Sequence, residues 1–175
     1  EYALYKLKLS LSNLPKNIHT VFSCANVRDE LEIEKIFNEN KPDLILHAAA
    51  LKHVSICEDN ILEAFKTNTL GTEVIANLAL KYGCLAMVLI STDKAVEPSG
   101  VMGATKRLAE MIIQIKDKEL KKNNSTRFIT VRFGNVLGSN GSVVPLFQKQ
   151  LASGGPITVT DKEATRFFMT VPEAV

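Results

Sequence analysis

Cysteine is scarce in this chain. Of 175 residues only Cys24, Cys57 and Cys84 are cysteines, an odd number, far apart and without a Cys-x-x-Cys pair. That pattern argues against disulfide staples and cysteine zinc sites, and it fits reduced, partly buried thiols in a cytosolic protein. An excess of one charge is also missing. Twenty-one Lys and Arg against nineteen Asp and Glu leave a net charge of +2, which gives no footing for nucleic acid or a polybasic membrane contact. No apolar run approaches membrane-spanning length and no signal-peptide pattern opens the chain. His47 and His53 lack further ligands at metal-binding spacing, so no metal site is expected. The glycine-rich stretch from Gly134 to Ser142 has no Gly-Lys-[Ser/Thr] and is not a P-loop. Repeats, low-complexity tracts and linkers are absent, and 46% hydrophobic with 23% charged residues is ordinary for one globular domain.

What is there alternates in type. Leu4, Leu7 and Leu11 recur at helical spacing before the breaker Asn13-Leu14-Pro15, and Ile18–Ser23 reads as a strand. Asp29 is placed to cap a helix running to about Asn40, with Leu31, Ile33, Ile36 and Phe37 as its apolar set. A short apolar strand, Leu44 to Leu46, follows Lys41-Pro42-Asp43. A long helix is expected from about Ile61 to Tyr82, stopped by Gly83. Then come a strand over Ala86–Ile90, a helix from about Met102 to Lys122, and a strand over Phe128–Val131. Lys121 and Lys122 read as a solvated helix end. Strands apolar throughout, alternating with amphipathic helices, indicate a doubly wound parallel α/β sheet covered on both faces. In such folds ligands bind beyond the carboxyl ends of the strands. The residues to inspect are therefore Asn26, His47 to Lys52, Ser91 to Lys94 and Arg132 to Asn135.

The strongest chemical signal is Ser91-Thr92-Asp93-Lys94 followed by Met102-Gly103-Ala104-Thr105-Lys106. Met102 and Lys106 are four residues apart and share a helical face. Short-chain dehydrogenases carry Tyr-x-x-x-Lys at this place, and here methionine replaces the tyrosine. A thioether accepts no proton, which weighs against ordinary alcohol oxidation. Asp93 and Lys94 instead offer a carboxylate beside an ammonium, and an elimination needs one group to take a carbon-bound proton and another to protonate the leaving hydroxyl. Alone, Asp93 is a turn cap and Lys94 a surface charge. With Lys106 at this spacing, the pair points to catalysis.

HAAALKHV (47–54), EAFKTNTLGT (63–72), STDKAVEPSGVMGATKRLAE (91–110), VRFGNVLGSNGSVVPLF (131–147) and TRFFMTVPEA (165–174) resemble the bacterial polysaccharide-biosynthesis family of CapD-like UDP-N-acetylglucosamine 4,6-dehydratases. The similarity extends over nearly the whole chain and is greatest to the branch with methionine in place of tyrosine, so Met102 matches a family trait. The resemblance implies an NAD- or NADP-dependent Rossmann-like enzyme that oxidises C4 of the sugar, loses water across C5 and C6, and re-reduces C6. Its product would be a 4-keto-6-deoxy sugar for surface polysaccharide or glycan synthesis. It implies Lys94 as the base at C5, Asp93 as the acid at the C6 hydroxyl, and Thr92 as a contact of the substrate hydroxyls. Lys106 would hold the nicotinamide ribose. Ala48, Ala49 and Ala50 would admit the cofactor close to the backbone, Lys52 would contact cofactor or phosphate, and Asn26 would face the adenine. Asn135, Ser142 and Arg166 would bind the nucleotide sugar, and Asn68 would brace the active-site backbone.

The family's Gly-x-x-Gly-x-x-Gly turn, which seats the cofactor pyrophosphate on a helix N-terminus, is absent. Ala25-Asn26-Val27 stands where relatives show Gly-Asp-Val. Residues 1–175 are thus expected to be a partial NAD(P)-binding domain, truncated at the glycine-turn unit and in the C-terminal substrate portion, with part of the substrate region over about 134–175. By itself the chain is expected neither to bind dinucleotide tightly nor to turn over substrate. The complete protein is expected to be a homo-oligomer in the cytoplasm, on the inner face of the membrane if transmembrane helices precede Glu1. Two rivals remain: a nucleotide-sugar 4-epimerase on the same scaffold, which Asp93-Lys94 disfavours, and a non-catalytic fragment.

Overall fold

The computed structural model describes residues 1–120, 126–139, 142–159, 161–163 and 165–174. Helix α1 (Tyr2–Ser10) buries none of its residues. Helix α2 (Glu30–Asn40) starts where expected: the Asp29 carboxylate accepts from the Glu32 backbone N–H at 3.1 Å, and two glutamates occupy the first turn, favourable near the positive helix end. Lys41 ends α2 with φ of 44°, and Pro42 cannot continue it.

Strand β1 (Leu44–His47) is followed by two short helices, α3 (Val54–Asp59) and α4 (Ile61–Phe65), a π-helical turn (Lys66–Leu70), and α5 (Gly71–Lys81). The long helix expected over 61–82 therefore contains a wider turn, with Asn68 and Thr69 buried within it. Strand β2 (Ala86–Thr92) runs into a 3₁₀ turn (Asp93–Ala95), and helix α6 (Val101–Leu120) leads to β3 (Arg127–Phe133). Lys121 and Lys122 lie outside the described residues. A small second sheet pairs β4 (Asn135–Val136) with β5 (Phe168–Met169); between them lies α7 (Val143–Ala152), and α8 (Val171–Ala174) follows.

The main sheet has the order β1-β2-β3, all parallel, with His47 opposite Leu89 and Ser91 opposite Arg132. Each crossover steps in the same direction, so right-handed connections bring α5 and α6 onto one face. Along β2, Met87, Leu89 and Ser91 are buried while Ala86, Val88 and Ile90 are half-buried, the alternation of a strand with one face packed. Met87, Leu89 and Phe128 meet Ile33 and Phe37 of α2, Ile75, Leu78 and Ala79 of α5, and Ala109 and Ile113 of α6 in one core. Full burial of a side chain such as Leu78 or Leu89 stabilises by about 1.5–3 kcal/mol. This is a Rossmann-like α/β arrangement.

Two expectations need correction. The sheet is not covered on both faces among the described residues: Leu44 and Leu46, on the face away from α5, are 58% and 67% exposed. Residues 18–23 form no strand, and Ile18 and Val21 are exposed. Extended backbone becomes a strand only when a neighbour takes its N–H and C=O groups, and β1 pairs with β2 alone. Among the described residues no helix is long and apolar enough to cross a membrane.

Candidate active site

The 3₁₀ turn after β2 brings three donors, two side chains and one backbone N–H, onto one carboxylate oxygen. Asp93 Oδ1 accepts from Thr92 Oγ1 at 2.8 Å, from Lys94 Nζ at 3.0 Å and from the Lys94 backbone N–H at 3.0 Å. Burial pushes the Asp93 carboxyl up, but the hydrogen bonds from Lys94 and Thr92 outweigh it and hold the group below the usual carboxylate range. Lys94 Nζ also donates to Asn135 Oδ1 at 3.3 Å, and Asn135 Nδ2 donates to the Phe167 carbonyl at 3.1 Å. Gly134 lets the segment bearing Phe167 lie close: a Cβ on Gly134 would sit 3.1 Å from the Phe167 carbonyl oxygen.

Helix α6 presents Met102 and Lys106 to the same place. Gly103 makes this possible, since a Cβ there would collide with the Lys94 carbonyl oxygen. Its N-terminal Val101 N–H donates to Glu58 Oε1 of α3 at 2.7 Å. Met102 is buried against Cys57, Ala64 and Leu51, a purely apolar wall where a tyrosine would have brought a hydroxyl. Lys106, 5% exposed, donates from Nζ to the Ile90 carbonyl at 2.6 Å. Burial lowers its pKa to about 8, against an opposing pull from Glu110.

The loop after β1 is held from behind. Fully buried Asn68 accepts from the Leu51 N–H at 2.7 Å and donates from Nδ2 to the Leu51 carbonyl at 3.1 Å and to Thr105 Oγ1 at 3.0 Å. Thr72 gives its hydroxyl proton to the Asn68 carbonyl at 2.7 Å, so at the 3.0 Å contact with His47 Nε2 the histidine donates. His47 is 4% exposed; burial, aided by the Lys106 charge, lowers its pKa to about 4.

A cleft of about 890 Å³ opens at the carboxyl ends of the strands. Ala48, Ala50 and Lys52 line it after β1, Thr92 at the end of β2 and Lys94 just beyond it, and Met102 and Lys106 on α6. Asn135, Ser142 and Arg166 line the opposite side. Ser142 caps α7 without a side-chain bond, and its buried hydroxyl has no protein partner. Arg166 is exposed and bonds the Thr165 carbonyl. Ala49 does not line the cleft, and Asp93 meets it through Thr92 and Lys94. Asn26 is not brought there either: its Oδ1 accepts from the Arg28 N–H at 3.1 Å and Nε at 3.2 Å. Asn140 and Gly141, within the glycine-rich stretch, lie outside the described residues.

Sequence reasoning missed Glu110. It is fully buried and accepts from Ser91 Oγ, Arg132 and Arg107. The signal was available, because an acid stands one turn after Lys106 on the stripe that also carries Met102.

The polysaccharide biosynthesis protein family matches over residues 1–175. The chain is 50% identical to the capsular polysaccharide biosynthesis protein CapD of Staphylococcus aureus over 99% of its own length and 29% of that protein's. It is 38% identical to a UDP-glucose 4-epimerase of Rickettsia canadensis, covering 97% of the chain and 48% of the relative. To a UDP-N-acetylglucosamine 4,6-dehydratase (inverting) of Campylobacter jejuni it is 34% identical, covering 96% and 56%. The chain thus spans from under a third to a little over half the length of these curated relatives. Among solved structures, Pen from Bacillus thuringiensis superposes with a TM-score of 0.88 at 35% identity, over 99% of this chain and 53% of that one. The dTDP-glucose 4,6-dehydratase DesIV from Streptomyces venezuelae, solved with NAD and TYD bound, shares the fold, with a TM-score of 0.81 at 20% identity, covering 96% and 55%. With its whole described length matched, the chain belongs to the polysaccharide biosynthesis protein family.

Proposed function

We propose that the chain forms part of a nucleotide-sugar 4,6-dehydratase that converts UDP-N-acetylglucosamine to a 4-keto-6-deoxy sugar for surface polysaccharide synthesis, with NAD or NADP as cofactor. The observation that carries this reading is the Asp93–Lys94 ion pair at 3.0 Å, set beside Asn135 at the end of β2. The residues present fit the nicotinamide riboside end of a dinucleotide: Lys106 is buried with its ammonium near the carboxyl end of β2, and Ala48 and Ala50 open the backbone after β1 to the cleft. NAD is bound in fold neighbours such as DesIV. When bound, such a cofactor supplies reversible hydride acceptance at the sugar. No glycine turn for its pyrophosphate occurs in the sequence.

The chain's own chemistry follows from the pair. At rest Asp93 is a carboxylate and Lys94 its hydrogen-bonded partner. A proton passed from Lys94 to Asp93 leaves a free amine and a carboxylic acid, and a substrate that displaces water from the cleft favours this uncharged pair over the ionic one. Lys94 then accepts the C5 proton of a 4-keto sugar while Asp93 protonates the C6 hydroxyl, which leaves as water. The pair returns to its resting form without any proton from solvent. Asn135 holds the Lys94 amine toward the cleft throughout.

Mass spectrometry of the full-length protein's product decides between this reading and 4-epimerisation, which the Rickettsia relative brings forward. Loss of one water is expected; an isomer of unchanged mass would mean epimerisation. Lys94→Ala should abolish dehydration while nucleotide-sugar binding survives, and turnover within a few-fold of the parent would remove Lys94 from the role of base. Asp93→Asn should slow water loss, because an amide neither takes the Lys94 proton nor protonates the C6 hydroxyl.

A further inference from the structure

Glu110 has a bonding pattern that the proposed reaction does not use. Its Oε1 accepts from Ser91 Oγ at 2.6 Å and Arg132 Nε at 2.9 Å; its Oε2 accepts from the other arm of Arg132 at 2.6 Å and from Arg107 at 3.1 Å. The carboxylate is wholly buried, whereas the side chains of Arg132 and Arg107 are 38% and 42% exposed. Burial alone would push its pKa up. The hydrogen bonds from Arg132, Ser91 and Arg107 reverse that and bring it to about 2, so it stays charged at any physiological pH.

The partners are what make this more than an internal ion pair. Ser91 and Arg132 face each other across β2 and β3. Ser91 is the residue before Thr92-Asp93-Lys94, and Arg132 stands three residues before Asn135. One carboxylate on α6 therefore ties together the ends of the two strands whose next residues meet at the 3.3 Å Lys94–Asn135 contact. Helix α6 holds this region in three successive turns. Gly103 lies against the Lys94 carbonyl, Lys106 bonds the Ile90 carbonyl, and Glu110 bonds Ser91. A buried charged clamp is poor evidence for stability, because desolvation offsets most of the attraction. What a bidentate arginine–carboxylate pair supplies is geometry.

We infer that Glu110 is a positioning residue: by clamping Ser91 of β2 and Arg132 of β3 to α6, it sets where Thr92, Asp93 and Lys94 stand relative to Asn135 and the cleft. The activity arm of its test rests on the proposed dehydratase reading; a second arm does not. In the full-length protein, Glu110→Gln keeps the shape but loses the paired acceptors. It should lower kcat by about 10- to 100-fold, the scale of an ångström-sized misplacement, with KM within a few-fold of the parent. Glu110→Asp should restore part of the loss. Ser91→Ala, which removes one donor without unbalancing charge, should act in the same direction more weakly and covers the case in which Glu110→Gln does not fold. Independently, acylation of Lys94 followed by mass spectrometry should become several-fold faster in Glu110→Gln and Ser91→Ala, against unchanged labelling of exposed Lys35. If only thermal stability falls, with kcat and Lys94 labelling unchanged, the clamp is structural and the inference is overturned. If the parent makes no dehydrated sugar, the functional reading fails and the labelling alone decides: unchanged Lys94 reactivity sinks the positioning role, and raised reactivity supports it.

Discussion

Met102 and His47 show how much depends on single buried side chains. Met102 is packed among Cys57, Ala64 and Leu51 with 6% of its surface exposed, so a phenol placed there would need room the thioether does not leave. Met102→Tyr is accordingly expected to give no gain in turnover for the full-length protein. A substantial rise in kcat would show that the missing hydroxyl limits the reaction. His47 has a different consequence, on stability. Its folded-state pKa of about 4 lies below the ordinary 6.5. The stability that goes with the buried neutral ring is complete above pH 6.5 and is lost as pH falls through 4. The difference amounts to up to about 3 kcal/mol. His47→Gln can still donate to Thr72 but does not titrate. Urea unfolding midpoints measured between pH 7 and 4 should decline less steeply in the variant than in the parent, and equal slopes would show that His47 does not govern this range. Glu110 enters only at lower pH, between its ordinary 4.5 and about 2.

Among the elements, α6 depends most on close approach. Gly103 brings it against the Lys94 carbonyl, and a methyl group at that point must push the helix or the turn aside. Gly103→Ala gains helix propensity worth about 1 kcal/mol, but the overlap with backbone is expected to outweigh it, with a net loss of about 1–3 kcal/mol and a fall in kcat. Thermal unfolding with steady-state kinetics checks both, and a stabilised, fully active variant would refute the tight contact. The β2–α6–β3 unit was legible in the sequence because β2 opens on a continuous apolar run, β3 carries Phe128, Ile129 and Val131, and the helix repeats Met102, Lys106, Ala109 and Ile113 on one face. Asp29 was legible as a cap because capping is local. Residues 18–23 were misread because strand propensity says nothing about whether a partner strand is present. Helix α7 was hidden behind the glycine-serine run before it and by Pro145, which the first turn of a helix tolerates. The joining of Glu110 to Ser91 and Arg132 was beyond any local pattern: its partners lie 19 and 22 residues away and meet it only once the parallel sheet has formed.

At the scale of the whole molecule, the proposed function gives the described residues one half of a dinucleotide site. Lys106, Ala48 and Ala50 gather at the cleft that the proposed function assigns to a nicotinamide riboside. Asn26, the residue expected to face the adenine, stands elsewhere with its oxygen engaged by Arg28. The pyrophosphate carries the ligand's charge and calls for N–H groups at a glycine-lined helix N-terminus, yet none of the nine glycines falls in a Gly-x-x-Gly-x-x-Gly turn. Lys52 at the cleft offers one cation in place of several oriented N–H groups. The exposed Leu44 and Leu46 add a second consequence. An apolar face beside the edge strand β1 invites association between chains. Residues 1–175 expressed alone are therefore expected to be poorly soluble and to bind NAD or NADP no more tightly than about 1 mM, roughly the 4 kcal/mol that a few contacts supply. Titration calorimetry with both dinucleotides, on residues 1–175 and on a longer form of the protein that carries a glycine turn, measures the difference directly. The longer form should bind at least a hundredfold more tightly. Micromolar binding by residues 1–175 would show that the cleft between Ala48, Lys52 and Lys106 holds the cofactor without a pyrophosphate turn, and the division of the site argued from these residues would be wrong.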